Sequence, residues 1–393
     1  MMHIDIPGLQ EFKALATARG GVFVSLYLPT SPLHPDANRI AFKDLAKDAI
    51  SQLREAAASE RIIDDLERQF GVLSGKIQKS LDDNKYRLSG ANPLASVEEF
   101  WKSQAHGLGV LTRPETKSMH TYRLPIRPKP LAEVADRFHL APLIRTMTSP
   151  LEILVLAISE GGARLLDVVV NMPPARVPLA HLSEDPAETL GRPSLHVRAP
   201  RRRLQNLEGE KILEAQYARQ VDRSVGDALA GRSTPMVLAA AEPMRSIFRN
   251  VNTYPHLIAE CIAGNPDHRS DAQLGDAALP ILDRLYRAEV KGILALYDEL
   301  KPYRATSDVS HAAHAATAAA VDRLVVDLDR VIPGLVSDID GSVTYSTSDD
   351  AETYSVLDEV ARRALCTDAR VVCARSEEMP AGHALAAILR YAF

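Results

Sequence analysis

"AVDRLVVDLD" (Ala320–Asp329) is followed by "SVLDEVARRALC" (Ser355–Cys366), then "ARVVCA" (Ala369–Ala374) and a terminal "AAILRYAF" (Ala386–Phe393). The first and third strings are β-branched and short, as a buried strand requires. The second reads as a helix. Strand, helix, strand, turn and strand make a small α/β layer. The last seventy-odd residues are therefore a folded block.

Working back from there, an alanine-rich segment (about Val309 to Ala320) and a longer one (about Ala277 to Lys301) both read as helices. The longer one presents Ile281, Leu285, Ala288, Gly292, Leu296 and Leu300 on one side. A third block opens near Asn252. In the second block "EILVLAIS" (Glu152–Ser159) and "ARLLDVVV" (Ala163–Val170) flank Gly161-Gly162, a hairpin signal because positive φ is cheap for glycine. A polar, proline-bearing stretch from Asn171 to about Asn206 follows, then a helix (about Leu207 to Leu229) and a strand in "TPMVLAAAE" (Thr234–Glu242). In the first block "GGVFVSLYLP" (Gly20–Pro29) reads as a strand. Two amphipathic helices follow, one on Phe42, Leu45, Ala49 and Leu53, the other on Ile63, Leu66, Phe70, Leu73, Ile77 and Leu81. "HGLGVLT" (His106–Thr112) and "SMHTYRLP" (Ser118–Pro125) read as paired strands, and "LPIRPKPL" (Leu124–Leu131) as an extended exit.

At 393 residues the chain has room for two or three domains. Lys and Arg number 46 against 51 Asp and Glu, a net charge of −5, so nucleic-acid contact has to be local rather than spread over a basic surface. Cys261, Cys366 and Cys373 are odd in number and make no CxxC pair, which fits a reducing compartment and no disulfide framework. No apolar run is long enough to span a bilayer, and the amino-terminal residues lack a charged-then-apolar leader pattern; a cytoplasmic protein without membrane contact is expected.

With three blocks in this order, the chain resembles the bacterial branch of the archaeo-eukaryotic peptide-chain release-factor superfamily, which includes Pelota-type rescue factors. The resemblance rests on "VSLYLPT" followed by Arg39 and Lys43, on "EEFWKSQAHGLGVL" (Glu98–Leu111), and on "YRLPI" leading to "ADRFHLAPLI" (Ala135–Ile144). It continues in "LVLAISEGGARLLD", "YPHLIAECIAGNPD" (Tyr254–Asp267), "VDRLVVD" and "AAILRY". It implies an α/β protein of three domains: an N-terminal domain of the bacterial family at 1–148, an RNase H-like middle domain at 149–250, and a C-terminal domain at 251–393 with the fold of kink-turn-binding ribosomal proteins. The implied partners are the ribosome, tRNA or rRNA, with no cofactor.

Classical release factors carry Gly-Gly-Gln on the long loop of the middle domain, where a small backbone positions the attacking water. This chain has no such tripeptide. Gly161-Gly162-Ala163 lacks the glutamine and reads as a hairpin turn. The corresponding long loop instead holds "GRPSLHVRAPRRR" (Gly191–Arg203). Its Arg192, His196, Arg198, Arg201, Arg202 and Arg203, with no acid among them, are the candidate phosphate or RNA contacts. The plain alternative is a solvated basic loop, or arginines paired with the acids of "SEDPAE" (Ser183–Glu188). Two other functions stay open: hydrolysis of an RNA-linked ester through Gln205, and a stress-linked interaction scaffold. His311 and His314 near Asp308 read as helix packing rather than metal ligands. Asp338-Ile339-Asp340-Gly341 reads as a turn, and Phe100-Trp101 as core rather than a base-stacking platform.

Overall fold

The computed structural model describes residues 5–56, 58–75, 97–116, 118–159, 161–180, 182, 203–346, 354–380 and 382–392, with backbone only at 203–211, 302 and 354. These residues form two compact units, one made of Met1–Ser149 with Ala288–Phe393, the other of Pro150–Arg287. Both are mixed α/β, the class expected from the sequence.

The first part of the discontinuous unit contains α1 (Leu9–Thr17), β1 (Phe23–Pro29), α2 (Pro35–Glu55), α3 (Glu60–Leu73), α4 (Val97–Lys102), β2 (Gly107–Arg113), β3 (Ser118–Leu124), β4 (Leu131–Ala135) and α5 (Ala141–Thr148). Its antiparallel sheet has the order β3-β2-β1-β4. Six consecutive residues of β1 are buried because side chains alternate between two covered faces. Val24, Leu26 and Leu28 meet Phe42, Leu66, Phe70 and Trp101 on one face. Phe23 and Tyr27 on the other join Phe12, Tyr122 and Phe138. The segment after "RPKP" returns as β4 instead of leaving the layer. Its outer backbone edge is satisfied by one side chain of α2: Gln52 Nε2 donates to Ala132 O at 2.8 Å, and Val134 N donates to Gln52 Oε1 at 3.1 Å.

The continuous unit begins with β5 (Glu152–Ser159), β6 (Gly162–Val169) and β7 (Ala175–Val177). It continues with α6 (Arg203–Ala228), β8 (Met236–Ala240), α7 (Met244–Val251) and β9 (Leu257–Ala263), and α8 (Asp271–Arg304) starts within it and runs on past Arg287. The sheet order is β7-β6-β5-β8-β9, with β5, β6 and β7 mutually antiparallel and β5, β8 and β9 parallel. An antiparallel trio extended by two parallel strands is the RNase H-like arrangement expected for the middle block. Leu154, Leu156 and Ile158 pack on Tyr217, Val221 and Val225 of α6. Ile153, Val155 and Ala157 pack on Leu274, Ala278 and Ile281 of α8. The sequence reading placed "LIAECIA" in the third block, after a boundary at 250. In the structure that string is β9 and completes this sheet beside β8, so the compact unit extends to Arg287.

The remainder of the discontinuous unit holds β10 (Ala305–Thr306), α9 (Val309–Thr317), β11 (Val321–Val326), β12 (Pro333–Val336), β13 (Val343–Tyr345), β14 (Tyr354–Ser355), α10 (Val356–Cys366), β15 (Arg370–Cys373) and β16 (Leu385–Leu389). The four-stranded sheet β10-β16-β11-β15 is mixed, and β12 is the centre of a small three-stranded sheet. Gly341 closes the turn before β13 with φ +78, and a Cβ there would lie 2.7 Å from the Ala313 carbonyl oxygen, so glycine lets this turn press against α9. The strand–helix–strand layer read from the carboxy-terminal sequence is present. Its apolar face is continuous with that of the first sheet: Phe12, Leu15, Leu143 and Ile144 share one core with Val360, Ala361 and Leu385.

Candidate functional site

Of the sequence candidates, Arg192, His196, Arg198, Arg201 and Arg202 lie outside the described residues, and Arg203 is described only as the backbone that opens α6. The flanks of that segment are fixed. On the amino-terminal side, Ala180 O accepts a 2.7 Å hydrogen bond from Ser224 Oγ on α6. On the carboxy-terminal side, Tyr217 is the first residue of α6 found buried among those with described side chains. Arg203 thus lies ~20 Å along the helix from the sheet-packed part of α6, at 1.5 Å per residue. Gln205 sits in helical backbone between Leu204 and Asn206. That is unlike the glycine-flanked glutamine of the classical motif.

A polar cluster lies where β5 ends and β9 gives way to α8. Ser159 Oγ donates to Asp267 Oδ1 at 2.7 Å and accepts from Gly161 N at 2.9 Å. A Cβ on Gly161 would stand 2.8 Å from Asp267 Oδ2, and Gly162 has φ +149. Both glycines therefore serve a tight turn over which a carboxylate is clamped. Arg164 on β6 donates to Pro266 O at 2.9 Å and Arg269 O at 2.6 Å. Asp271 then links Arg164, at 3.3 Å, to Arg176 of β7, at 2.7 Å. These bonds tie the β9–α8 connection to the hairpin. With its proton directed at Asp267 and a lone pair at Gly161, the Ser159 hydroxyl clamps the turn to the β9–α8 connection.

Tyr217 is 1% exposed, its hydroxyl has no hydrogen-bond partner among the described residues, and burial together with the charge of Asp267 pushes its pKa well above the phenol value. A buried hydroxyl with no acceptor carries a desolvation penalty that a methine does not. Tyr217→Phe is expected to leave stability unchanged or raise it by up to about 1 kcal/mol, measured by urea unfolding followed by circular dichroism. A loss above about 1 kcal/mol would show that the hydroxyl has a bridging partner.

The other sequence candidates are accounted for locally. Trp101 is buried, with Nε1 donating to Leu73 O at 2.8 Å and its ring edge-on to Phe100, so it is core. Asp308 accepts from His311 N at 2.7 Å, which makes it the N-cap of α9. Among the described residues, no three His, Cys, Asp or Glu side chains gather as a metal site would need. Gly341 N donates to Ser337 O and Asp340 accepts from Ser342, which makes Asp338–Gly341 a turn. The three cysteines are free. No described helix is long and apolar enough to cross a membrane.

Residues 150–288 match the family model described as "Bacterial archaeo-eukaryotic release factor family 11". This span coincides with the continuous unit. No curated protein matches the chain. Among solved structures, the archaeal translation termination factor aRF1 is 13% identical with a TM-score of 0.22, covering 98% of this chain and 99% of its own. Archaeal Pelota, in a model of ribosome-bound Pelota and ABCE1, is 12% identical with a TM-score of 0.38 over 99% and 96%. Archaeoglobus fulgidus Pelota is 15% identical with a TM-score of 0.25 over 73% and 81%.

Proposed function

We propose, from the match of residues 150–288 to the model of bacterial archaeo-eukaryotic release factor family 11, that the chain binds the ribosome through phosphates of rRNA or tRNA. The contacts would come from Arg192, His196, Arg198, Arg201, Arg202 and Arg203. The observation that carries this proposal is the family match, because it encloses the arginine-rich segment between β7 and α6. Guanidinium forks suit phosphate oxygens, and a run of them without an acid supplies local positive charge to a chain whose net charge is −5. Peptidyl-tRNA hydrolysis is not part of the proposal. No Gly-Gly-Gln exists, Gln205 is in a helix, and Gly161-Gly162 is clamped as a turn.

The test is co-sedimentation with ribosomes over a salt series, comparing the wild type with Arg201→Ala/Arg202→Ala. The double variant is expected to bind about tenfold more weakly, with the slope of log K against log salt reduced by about 1.4 for two lost single-strand phosphate contacts. Absence of association at low salt, or equal slopes, would overturn the proposal and favour a protein-interaction scaffold.

A further inference from the structure

Helices α2 and α3 cover one face of the first sheet, and a cleft stays open between them. Its volume is about 320 Å³, at the lower end of what small-molecule sites offer. Phe42, Ala46 and Ile50 line it at four-residue steps along α2, and Phe70 and Gly71 line it from α3. Phe42 and Phe70 are buried and stand edge to face, with ring centroids 5.6 Å apart. The gap beside them follows from the sequence. Ala46 and Gly71 offer a methyl and a hydrogen where larger side chains would close the space.

Three charged side chains also line the cleft, and two of them are neutralised. Glu67 pairs with Arg54 at 3.2 Å, and Lys47 with Asp44 at 3.0 Å. Lys43 is half-buried and has no hydrogen bond or ion pair among the described residues. It lies one helical turn from Lys47, a like-charge spacing that disfavours both cations until an anion joins them. The Arg54–Glu67 pair closes the charge at the Ile50 end, which leaves Lys43 as the open cation at the Phe42 end. From Phe42 to Ile50 the apolar wall runs ~12 Å, at 1.5 Å per residue.

We propose that this cleft binds a small aliphatic carboxylate, with its chain along Ala46 towards Ile50 and its head group accepting hydrogen bonds from the Lys43 ammonium. One unpaired cation at one end selects an anionic head. Two helical turns of apolar wall select a chain over a flat ring, because Phe42 and Phe70 face each other edge-on and present no parallel pair of ring faces. The site belongs to a different unit from the arginine-rich segment and does not depend on ribosome binding.

The experiment is calorimetric titration of the full chain with octanoate, with 1-octanol, octylammonium and 2-naphthoate as comparison ligands. Wild type is expected to bind octanoate saturably and the other three about tenfold more weakly or less. Tryptophan emission reads the same event, because Trp101 is the one tryptophan of the chain and its ring centroid lies 5.7 Å from that of Phe42. Lys43→Ala should weaken octanoate binding about tenfold, the loss of one charge-assisted bond, with the melting temperature and the affinity for 1-octanol unchanged. Ala46→Leu fills the cleft and should abolish binding of both. No saturable binding of octanoate by the wild type, or wild-type affinity in Lys43→Ala, overturns the proposal. Equal affinity of the wild type for octanoate and 1-octanol overturns it as well, since an apolar cleft without a head-group contact gives that result.

Discussion

Arg363→Ala is expected to destabilise the discontinuous unit by about 3–5 kcal/mol, the penalty for breaking a buried ion pair by removing one partner. Arg363 is 7% exposed. Its guanidinium donates to Glu359 at 2.7 Å, Thr317 at 2.6 Å, Ser337 O at 2.8 Å, Val336 O at 2.9 Å and Asp338 at 2.7 Å. One side chain thereby joins α10 to the end of α9, to β12 and to the turn after it. Alanine leaves two backbone carbonyls without this donor and Glu359 with Arg362 as its remaining cation. For a unit of this size the loss corresponds to a drop of roughly 10 °C in melting temperature. Lysine keeps the charge but not the planar fork, and should recover only part of it. The chain has one tryptophan, Trp101, inside the same unit, so its fluorescence in a urea titration reports this unit selectively. A loss below about 1 kcal/mol would mean that water replaces the fork at no penalty.

The neighbouring carboxyl should respond in the opposite direction. Glu359 and Asp358 are adjacent on α10; Glu359 is buried and Asp358 half-buried. Despite burial, Arg362 and Arg363 hold the Glu359 pKa below the usual carboxylate range. For Asp358, burial dominates and raises the pKa to about 6. His139 and Arg145 only partly offset it, and the charge of Glu359 adds to it. Its Oδ1 has no hydrogen-bond partner among the described residues, while His139 is engaged by Glu133 at 3.1 Å and Arg145 by Asp329 at 2.6 Å. Below about pH 4 the group is protonated whether folded or unfolded, so it exerts no penalty. As pH rises from about 4 to 6 the unfolded chain releases its proton first, and the folded state loses stability until it too ionises.

Asp358→Asn should therefore remove that slope. At pH 7 it is expected to be more stable than wild type by about 2 kcal/mol, less than the full shift implies because the residue keeps an edge in solvent. Near pH 4 the two proteins should unfold together. Urea titrations by tryptophan fluorescence at pH 4, 5, 6 and 7 measure this. A difference that does not change with pH would show that the asparagine acts through packing and not through charge.

What the sequence made legible follows from how local each signal is. β1 announces itself because both its faces are covered, so every residue from Phe23 to Leu28 is apolar or small. The β5–β6 hairpin follows from Gly161-Gly162, and α10 from a clean apolar stripe. β4 was hidden behind a proline run that signals an exit, because its place beside β1 is set by Gln52 of α2, far away in sequence. β7, β13 and β14 are three residues or fewer, too short for a period of two to register. The string "LIAECIA" reads into the third block because nothing in it names a pairing partner; the backbone bonds of β8 set its place.

The sites divide in the same way. The arginine-rich segment is visible as composition, since its charges fall within one short stretch. Arg19 and Arg362 are ordinary in their own surroundings and meet at the Ala16 carbonyl only when α10 is laid against α1.

The shared core of residues 1–149 and 288–393 also bears on synthesis. Phe12 and Leu15 emerge from the ribosome long before Val360, Ala361 and Leu385, which lie in the same core. The middle unit can close its own sheet in the interval, because all its strands lie between Pro150 and Arg287. The amino-terminal block has to wait with one face of its sheet unburied, and contacts of such long sequence separation form slowly. A nascent chain stopped short of α10 therefore carries a finished middle unit beside an amino-terminal sheet that still exposes an apolar face.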